Sequence, residues 1–95
     1  MRIRKTRAAL TLTAILAFGG LAAAETIKSI TYNGKGVAVG FVATDDGFDT
    51  EYDIAPTQRA GWTPLLQRWK DAGTDVTIDS GGDTEIERGD TITEN

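Results

Sequence analysis

The first 24 residues have the pattern of a secretory signal peptide, so the fold has to be built from the residues that follow. Basic residues at positions 2, 4, 5 and 7 precede an apolar run from Ala8 to Phe18. Ala22 and Ala24 then form an A-x-A cleavage motif in front of Glu25. An uncleaved anchor is the alternative, but the apolar stretch is shorter than the roughly 20 residues that span a bilayer. We therefore predict export, either to a periplasm or out of the cell, with cleavage before Glu25.

Removal of this signal leaves 71 of the 95 residues for the mature chain, residues 25–95, which is enough for one small domain. A domain of this size buries a modest core and often depends on disulfides, a bound ion or self-association. The chain contains no cysteine, so disulfides are unavailable. Self-association and a bound ion remain as sources of stability, and of these we expect a homo-oligomer.

The charge of the mature chain limits its partners. It has 14 acidic and 6 basic residues, a net charge of −8. Such a surface repels the phosphates of nucleic acids and the headgroups of anionic membranes, so we expect neither as a partner. Neutral cell-surface glycans, cationic molecules and other proteins remain.

Catalysis has little support in this sequence. The chain has no histidine, so Ser29 and Ser80 lack the base that activates a serine nucleophile. A carboxyl group that acts as a general acid needs an apolar pocket, and a chain this short has few residues from which to build one. We expect no enzymatic activity, no catalytic residues, no cofactor and no metal centre.

Two strands are predicted directly after the cleavage site. Thr26–Tyr32 is rich in β-branched residues and ends at Asn33-Gly34, a strong signal for a type I′ hairpin turn. The following Lys35-Gly36 either lengthens this loop to four residues or adds a bulge. In Val37–Ala43 two sets of apolar or small residues alternate, with Val37, Val39 and Phe41 on one face and Ala38, Gly40 and Val42 on the other. This pattern predicts a central strand that is covered on both faces.

A third strand is predicted after the turn at positions 44–47. Phe48–Ile54 alternates between apolar or neutral residues and the three acidic residues Asp49, Glu51 and Asp53. Alternation with a period of two indicates a half-buried strand with an acidic outer face. Three strands with short turns predict an antiparallel meander.

The hydrophobic period then changes to that of a helix. The helical stripe consists of Trp62, Leu65, Leu66, Trp69 and Ala72. We predict a helix over Pro64–Ala72, with Thr63 as N-cap, Pro64 in the first helical position and Gly73 just after the end. Such a short helix is stable only when docked on the sheet. Residues 55–61 are expected to form a loop or one loose turn.

Two further strands complete the chain. Asp75–Ser80 carries Val76 and Ile78 on its inner face, and Thr84–Thr93 is interrupted near Gly89. The resulting order, β-β-β-α-β-β with one short helix, predicts a mostly β (α+β) domain. It matches a small OB-like five-stranded barrel, with a small sheet crossed by one helix as the alternative.

The region from the helix to the following turn resembles the B subunits of AB5 toxins, particularly of the Shiga-toxin type. The resemblance lies in Leu65-Leu66, Ala72-Gly73, Val76-Thr77-Ile78 and Gly81-Gly82. It implies an OB-fold subunit in a ring of five, with helices lining a central pore and glycan binding on the outer face. Members of that family usually carry an intrachain disulfide, which this cysteine-free chain cannot form.

Three groups of residues are candidates for binding. Asp49, Glu51 and Asp53 share one strand face and can attract a cation or a basic partner, or else keep an edge strand from pairing. Asp45 and Asp46, like the acidic turn at 79–85, suit calcium by composition but match no calcium-binding loop motif, and we interpret both as ordinary turns. Trp62 and Trp69 share the helical stripe, whose aromatic residues usually belong to the core. If one of them is exposed, we expect it to be Trp62, which could then stack on a sugar or form a subunit interface.

We therefore expect an exported, non-enzymatic binding protein. It is either a ring-forming, glycan-binding module like a toxin B subunit, or a monomeric periplasmic accessory or inhibitor protein that docks a basic protein partner.

Overall fold

A computed structural model describes residues 24–95 of the chain. The predicted signal segment lies outside these residues, apart from Ala24. The elements are β1 (Glu25–Tyr32), β2 (Ala38–Asp45), β3 (Phe48–Ile54), a 3₁₀ turn (Pro56–Gln58), α1 (Arg59–Ala72), β4 (Asp75–Asp79), β5 (Glu85–Ile86) and β6 (Thr91–Glu94). Over this part of the chain, no helix is long and apolar enough to cross a membrane.

The strands form one nearly closed, barrel-like sheet in the order β5-β3-β2-β1-β4-β6. Strands β1, β2 and β3 form the predicted antiparallel meander, whereas β5 pairs with β3 in parallel and β6 pairs with β4 antiparallel. The chain passes from one sheet edge to the other within residues 87–90. The predicted last strand is therefore two short strands, interrupted at Gly89, whose φ of 92° favours glycine. The OB-like barrel with one helix is confirmed.

A bulge in β1 explains how its isoleucines share the core. Ile27 and Ile30 are three residues apart, which in a regular strand would place them on opposite faces. Ile27 pairs with Ala43 and Ser29 with Val42, so Lys28 is an extra residue in β1. Ile27 is buried and Ile30 packs against the same core.

A second bulge, in β2, changes which residues of that strand share a face, which corrects the prediction. Tyr32 pairs with Ala38 and Thr31 with Gly40, which leaves Val39 as an extra residue in β2. The strand therefore does not alternate along its whole length: Ala38, Gly40, Phe41 and Ala43 are buried, whereas Val39 and Val42 are only partly buried. The grouping of Phe41 with Val39 was wrong because the alternation assumed a regular strand.

The type I′ turn is in the second hairpin and not, as predicted, in the first. Asn33 does not adopt positive φ. Its side-chain Oδ1 instead accepts hydrogen bonds from the backbone N–H groups of Lys35 (2.8 Å) and Val37 (3.1 Å), and Gly36 supplies the positive φ. The turn with two positive φ angles is Asp46-Gly47, at 53° and 84°, as a type I′ turn requires.

The helix begins earlier than predicted, at Arg59, directly after the 3₁₀ turn that starts with Pro56. Pro56 therefore opens the helical segment and Pro64 lies inside the helix. Thr63 is not an N-cap, because its hydroxyl donates to the Arg59 carbonyl (2.7 Å) and accepts from the Ala38 N–H (2.9 Å). This second bond ties the helix to the start of β2.

The end of the helix agrees with the prediction. Gly73 has φ 66°, its N–H donates to the Lys70 carbonyl, and the Thr74 N–H donates to the Trp69 carbonyl. These bonds form a Schellman motif, which satisfies carbonyls at the helix end. Ala72, assigned by sequence to the buried stripe, is exposed.

The core lies between the inner sheet face and the helix. Its buried members are Ile27, Ala38, Phe41, Ala43, Tyr52, Ile54, Leu66, Trp69, Val76, Ile86 and Ile92. Phe41 and Tyr52 stack with their ring centroids 5.0 Å apart, directly opposite each other on β2 and β3. Trp62 and Leu65 pack at its margin. The helix thus covers one side of the core, as its apolar stripe predicts.

Candidate binding surfaces

The outer side of β3 carries the three predicted acidic residues. Tyr52 and Ile54 are buried, so the alternating Asp49, Glu51 and Asp53 lie on the solvent side, and all three are exposed. The predicted acidic outer face of this strand is confirmed.

Asp49 differs from its two neighbours because a cation neutralises it. Lys28 Nζ lies 2.6 Å from Asp49 Oδ2, in an ion pair whose side chains are both well exposed. Hydrogen bonds from Lys28 and then from Thr44 lower the pKa of Asp49. Lys28 reaches Asp49 across β2, from its bulged position on β1. Between residues 24 and 95 this is the single ion pair, so Glu51 and Asp53 form none.

Strand β5 extends the row of carboxylates beyond β3. Asp53 pairs with Glu85 in the parallel register, and the Asp53 N–H donates to the Thr84 carbonyl at 2.9 Å. Ile86 is buried and Glu85 exposed, so the Glu85 side chain lies on the same outer face as Asp53. The acidic row thus continues across two strands that are distant in sequence.

The turns on both sides of β5 add three more carboxylates. Asp83, Glu87 and Asp90 each place a carboxylate oxygen within 4.8 Å of the others. Together with Glu51, Asp53 and Glu85 they make up what we call the acidic face. Arg88 lies in the same loop but forms no ion pair with any described residue.

The closeness of these carboxylates affects the pKa of Glu87. A hydrogen bond with Glu85 raises the pKa of Glu87, and the nearby charges of Asp83, Glu85 and Asp90 act in the same direction. Glu87 therefore holds a proton more readily than an isolated glutamate does. A cation placed beside this cluster would relieve the repulsion.

Asp83, Glu87 and Asp90 are also the described residues best placed to hold a metal ion. Calcium takes six to eight oxygen ligands, however, so three carboxylates would have to be supplemented by backbone carbonyls or water. Two of these carboxylates are already engaged in the turns. Asp83 Oδ1 accepts from the Glu85 N–H (3.0 Å), and Asp90 Oδ2 accepts from the Glu87 N–H (2.7 Å). The turn geometry accounts for the cluster without an ion.

The remaining predicted acidic residues lie elsewhere. Asp45 ends β2, and Asp46 forms the tight turn that follows it. This turn begins β3, whereas Asp53 and Glu85 lie near the other end of that strand. The two ends are separated by about 15–20 Å along the strand. The structure thus splits the predicted acidic set into two groups.

Trp62 lies at the margin of the core and is the more exposed of the two tryptophans. It is partly buried and lines a shallow cleft of about 290 Å³ together with Thr57, Gln58, Gly61 and Leu65. Its ring centroid is 6.3 Å from that of the buried Trp69, at an interplanar angle of 43°. A partly exposed aromatic ring beside an amide and a hydroxyl is a combination suited to stacking on a sugar and bonding its hydroxyls.

The fold and these surfaces define a small OB-like barrel with an acidic face and a separate aromatic cleft. Comparison with protein-family models, curated proteins and solved structures yields no match for this chain.

Proposed function

We propose that this chain is an exported, non-enzymatic binding protein that docks a basic protein partner on its acidic face. One observation carries the proposal: the parallel register of β3 and β5 places Glu85 beside Asp53. This pairing joins the carboxylates of β3 to those of the turns around β5. Arg88 is the one basic residue of that loop. The acidic face is thus complementary to a cationic protein surface.

Electrostatic repulsion within the face supports this proposal. A hydrogen bond with Glu85, together with the charges of Asp83, Glu85 and Asp90, raises the pKa of Glu87, so like charges repel one another at this end of the face. A partner's lysine or arginine side chains would relieve that repulsion on docking. Binding should therefore weaken with rising salt, because exposed charges are screened beyond about 8–10 Å at physiological ionic strength.

Two charge variants of the purified protein test the proposal. One neutralises the acidic face (Asp53→Asn, Glu85→Gln, Glu87→Gln), and its matched control neutralises three exposed acids elsewhere (Asp46→Asn, Asp71→Asn, Asp75→Asn).

Both variants change the net charge equally, so they separate a docking face from general acidity. With a lysine-rich peptide as probe, the face variant should bind roughly 3- to 150-fold more weakly, at about 0.2–1 kcal/mol for each lost exposed pair. The control should stay within about twofold of the unmodified protein. Equal losses in the two variants would mean that net charge alone attracts the peptide, and would contradict the proposal.

The second candidate function is a ring-forming, glycan-binding subunit, and the Trp62 cleft is the observation that favours it. A glycan-array screen of the purified protein tests it, with Trp62→Ala as the matched variant. Binding to defined glycans that is lost in Trp62→Ala, together with a sedimentation mass several times that of the monomer, would favour this function. A monomer that binds no glycan would remove it.

A further inference from the structure

Within the described residues, the first half of β3 pairs with another strand on one side only. On one side β3 pairs with β2 over its whole length, but on the other side β5 reaches only Asp53 and Ile54. The preceding residues, Phe48–Glu51, have no strand partner on that side within the described chain. We call this segment the open edge.

The hairpin geometry identifies which backbone groups face this open edge. Asp45 and Phe48 flank the two-residue turn and therefore form a hydrogen-bonded pair, so the groups of Asp49 and Glu51 point away from β2. Asp53, two residues further along, confirms the direction, because its N–H donates to Thr84 beside β5. Between residues 24 and 95, no backbone group bonds to Asp49 or Glu51 on this side. The open edge thus presents a short, regular row of donors and acceptors.

Phe48 adds an apolar contact at the start of the open edge. Its side chain is 64% exposed, compared with 43% for Tyr32, the other exposed large hydrophobic residue of the described chain. Exposed strand edges commonly receive an extended segment from another chain, which gains main-chain hydrogen bonds and alternate side-chain contacts.

Charge indicates the chemistry of the segment that fits. A strand added at the open edge would place every second side chain on the outer surface, next to Glu51 and beyond it Asp53. A second copy of β3 would bring its own acidic residues to these positions, and like charges on adjacent strands destabilise the pairing. Lysine or arginine at alternate positions would pair with them instead.

We infer that the open edge takes up an extended, basic segment of the partner as an additional strand, beside the acidic face. This inference rests on the proposed function and specifies how the partner binds: through backbone hydrogen bonds as well as charge. The segment is short, about four residues or 13 Å, because β5 occupies the remainder of that side of β3.

Amide exchange in the purified protein gives a direct test. The probe is a seven-residue peptide in which lysine alternates with valine, and the readout is hydrogen exchange at single residues by NMR. The amides of Asp49 and Glu51 should slow on peptide addition, in proportion to occupancy. Those of Thr50 and Tyr52 face β2 and should change little.

A matched peptide separates backbone pairing from charge. A second peptide has the same sequence, but the backbone nitrogens of its central residues are methylated. It keeps the charge of the first peptide but cannot donate backbone hydrogen bonds, so it should bind at least about tenfold more weakly.

A pair of variants makes the same distinction on the protein side. Glu51→Ala and Glu51→Pro both remove the carboxylate, but only proline removes the outward N–H. Proline is tolerated at a strand edge where the N–H faces solvent. Glu51→Pro should bind the unmethylated peptide about three- to tenfold more weakly than Glu51→Ala. The methylated peptide tests the inference on the unmodified protein if Glu51→Pro does not fold.

The outcomes distinguish this inference from the proposed function. Equal binding of both peptides, without slowed exchange at Asp49 and Glu51, would overturn the edge pairing but leave charge-driven docking intact. No binding of either peptide would overturn both. Protection of Asp49 and Glu51 without peptide, increasing with protein concentration, would assign the open edge to a second copy and also overturn the inference.

Discussion

Replacement of Trp69 by alanine should remove most of the stability of this domain. The Trp69 side chain is 4% exposed and belongs to the buried core, where its ring lies 6.3 Å from that of Trp62. Deleting a buried aromatic side chain costs about 3–5 kcal/mol. The lost hydrogen bond from Trp69 Nε1 to Glu94 Oε1 (3.1 Å) adds little, because water can replace the indole at the exposed Glu94.

This cost is large compared with the total stability of so small a domain. At about 0.05–0.15 kcal/mol per residue, 71 residues correspond to about 4–11 kcal/mol of unfolding free energy. Trp69→Ala should therefore leave little folded protein at 37 °C. Urea denaturation followed by circular dichroism measures the change without depending on tryptophan fluorescence.

Two control substitutions make the result specific. Trp69→Phe keeps an aromatic ring but is smaller than tryptophan, and should cost about 1–2 kcal/mol because it leaves part of the buried space unfilled. Trp62→Ala removes a partly exposed ring at the core margin and should cost less than Trp69→Ala. A loss below about 1 kcal/mol for Trp69→Ala would refute the packing described here, since it would place the Trp69 ring in solvent.

Three further predictions concern individual features of the fold. Gly40→Ala should destabilise the protein by about 1–3 kcal/mol in urea denaturation, because its Cβ would lie 2.8 Å from the Tyr52 backbone oxygen; an unchanged midpoint would contradict this close approach. Pro64→Ala should stabilise by about 1 kcal/mol, measured likewise, because alanine restores a helical N–H that can reach the Ala60 carbonyl; a loss of stability would show that the proline ring contributes packing. The pKa of Glu87 is raised in the folded state, so the stability linked to its protonation is complete below the ordinary glutamate pKa and is lost as pH rises through the raised value. Glu87→Gln should therefore have a higher Tm than the unmodified protein at pH 7, and this difference should shrink toward acidic pH; a Tm difference independent of pH would refute the assignment.

Local sequence patterns predicted most of the elements of this fold. Alternation in Phe48–Ile54 predicted a strand with buried Tyr52 and Ile54, because the side-chain period of a strand is set by the backbone alone. The apolar stripe containing Leu66 and Trp69 likewise predicted the helix and its buried face. Gly73 and Gly89 marked a helix end and a strand interruption, because both positions require a positive φ that glycine adopts easily.

Boundaries and register depended on contacts between segments. Arg59 starts the helix, and its Nε donates to the Ile54 carbonyl at 2.8 Å, a contact that no local pattern predicts. The Thr63 hydroxyl is tied to Ala38 of β2, so it is unavailable as the N-cap that its position before proline suggested. The bulges at Lys28 and Val39 likewise result from pairing between β1 and β2.

The same distinction between local sequence patterns and contacts between segments applies to the candidate surfaces. The sequence by itself determined the acidic outer row of β3, since alternation requires only one strand. Only the tertiary structure decided that Glu85 joins Asp53, through a parallel pairing that closes a loop of about thirty residues. It also decided that Lys28 pairs with Asp49, whereas Glu51, beside the open edge, forms no ion pair within residues 24–95. Period and turn chemistry are local properties of the chain, whereas these juxtapositions depend on which strands pair and in which register.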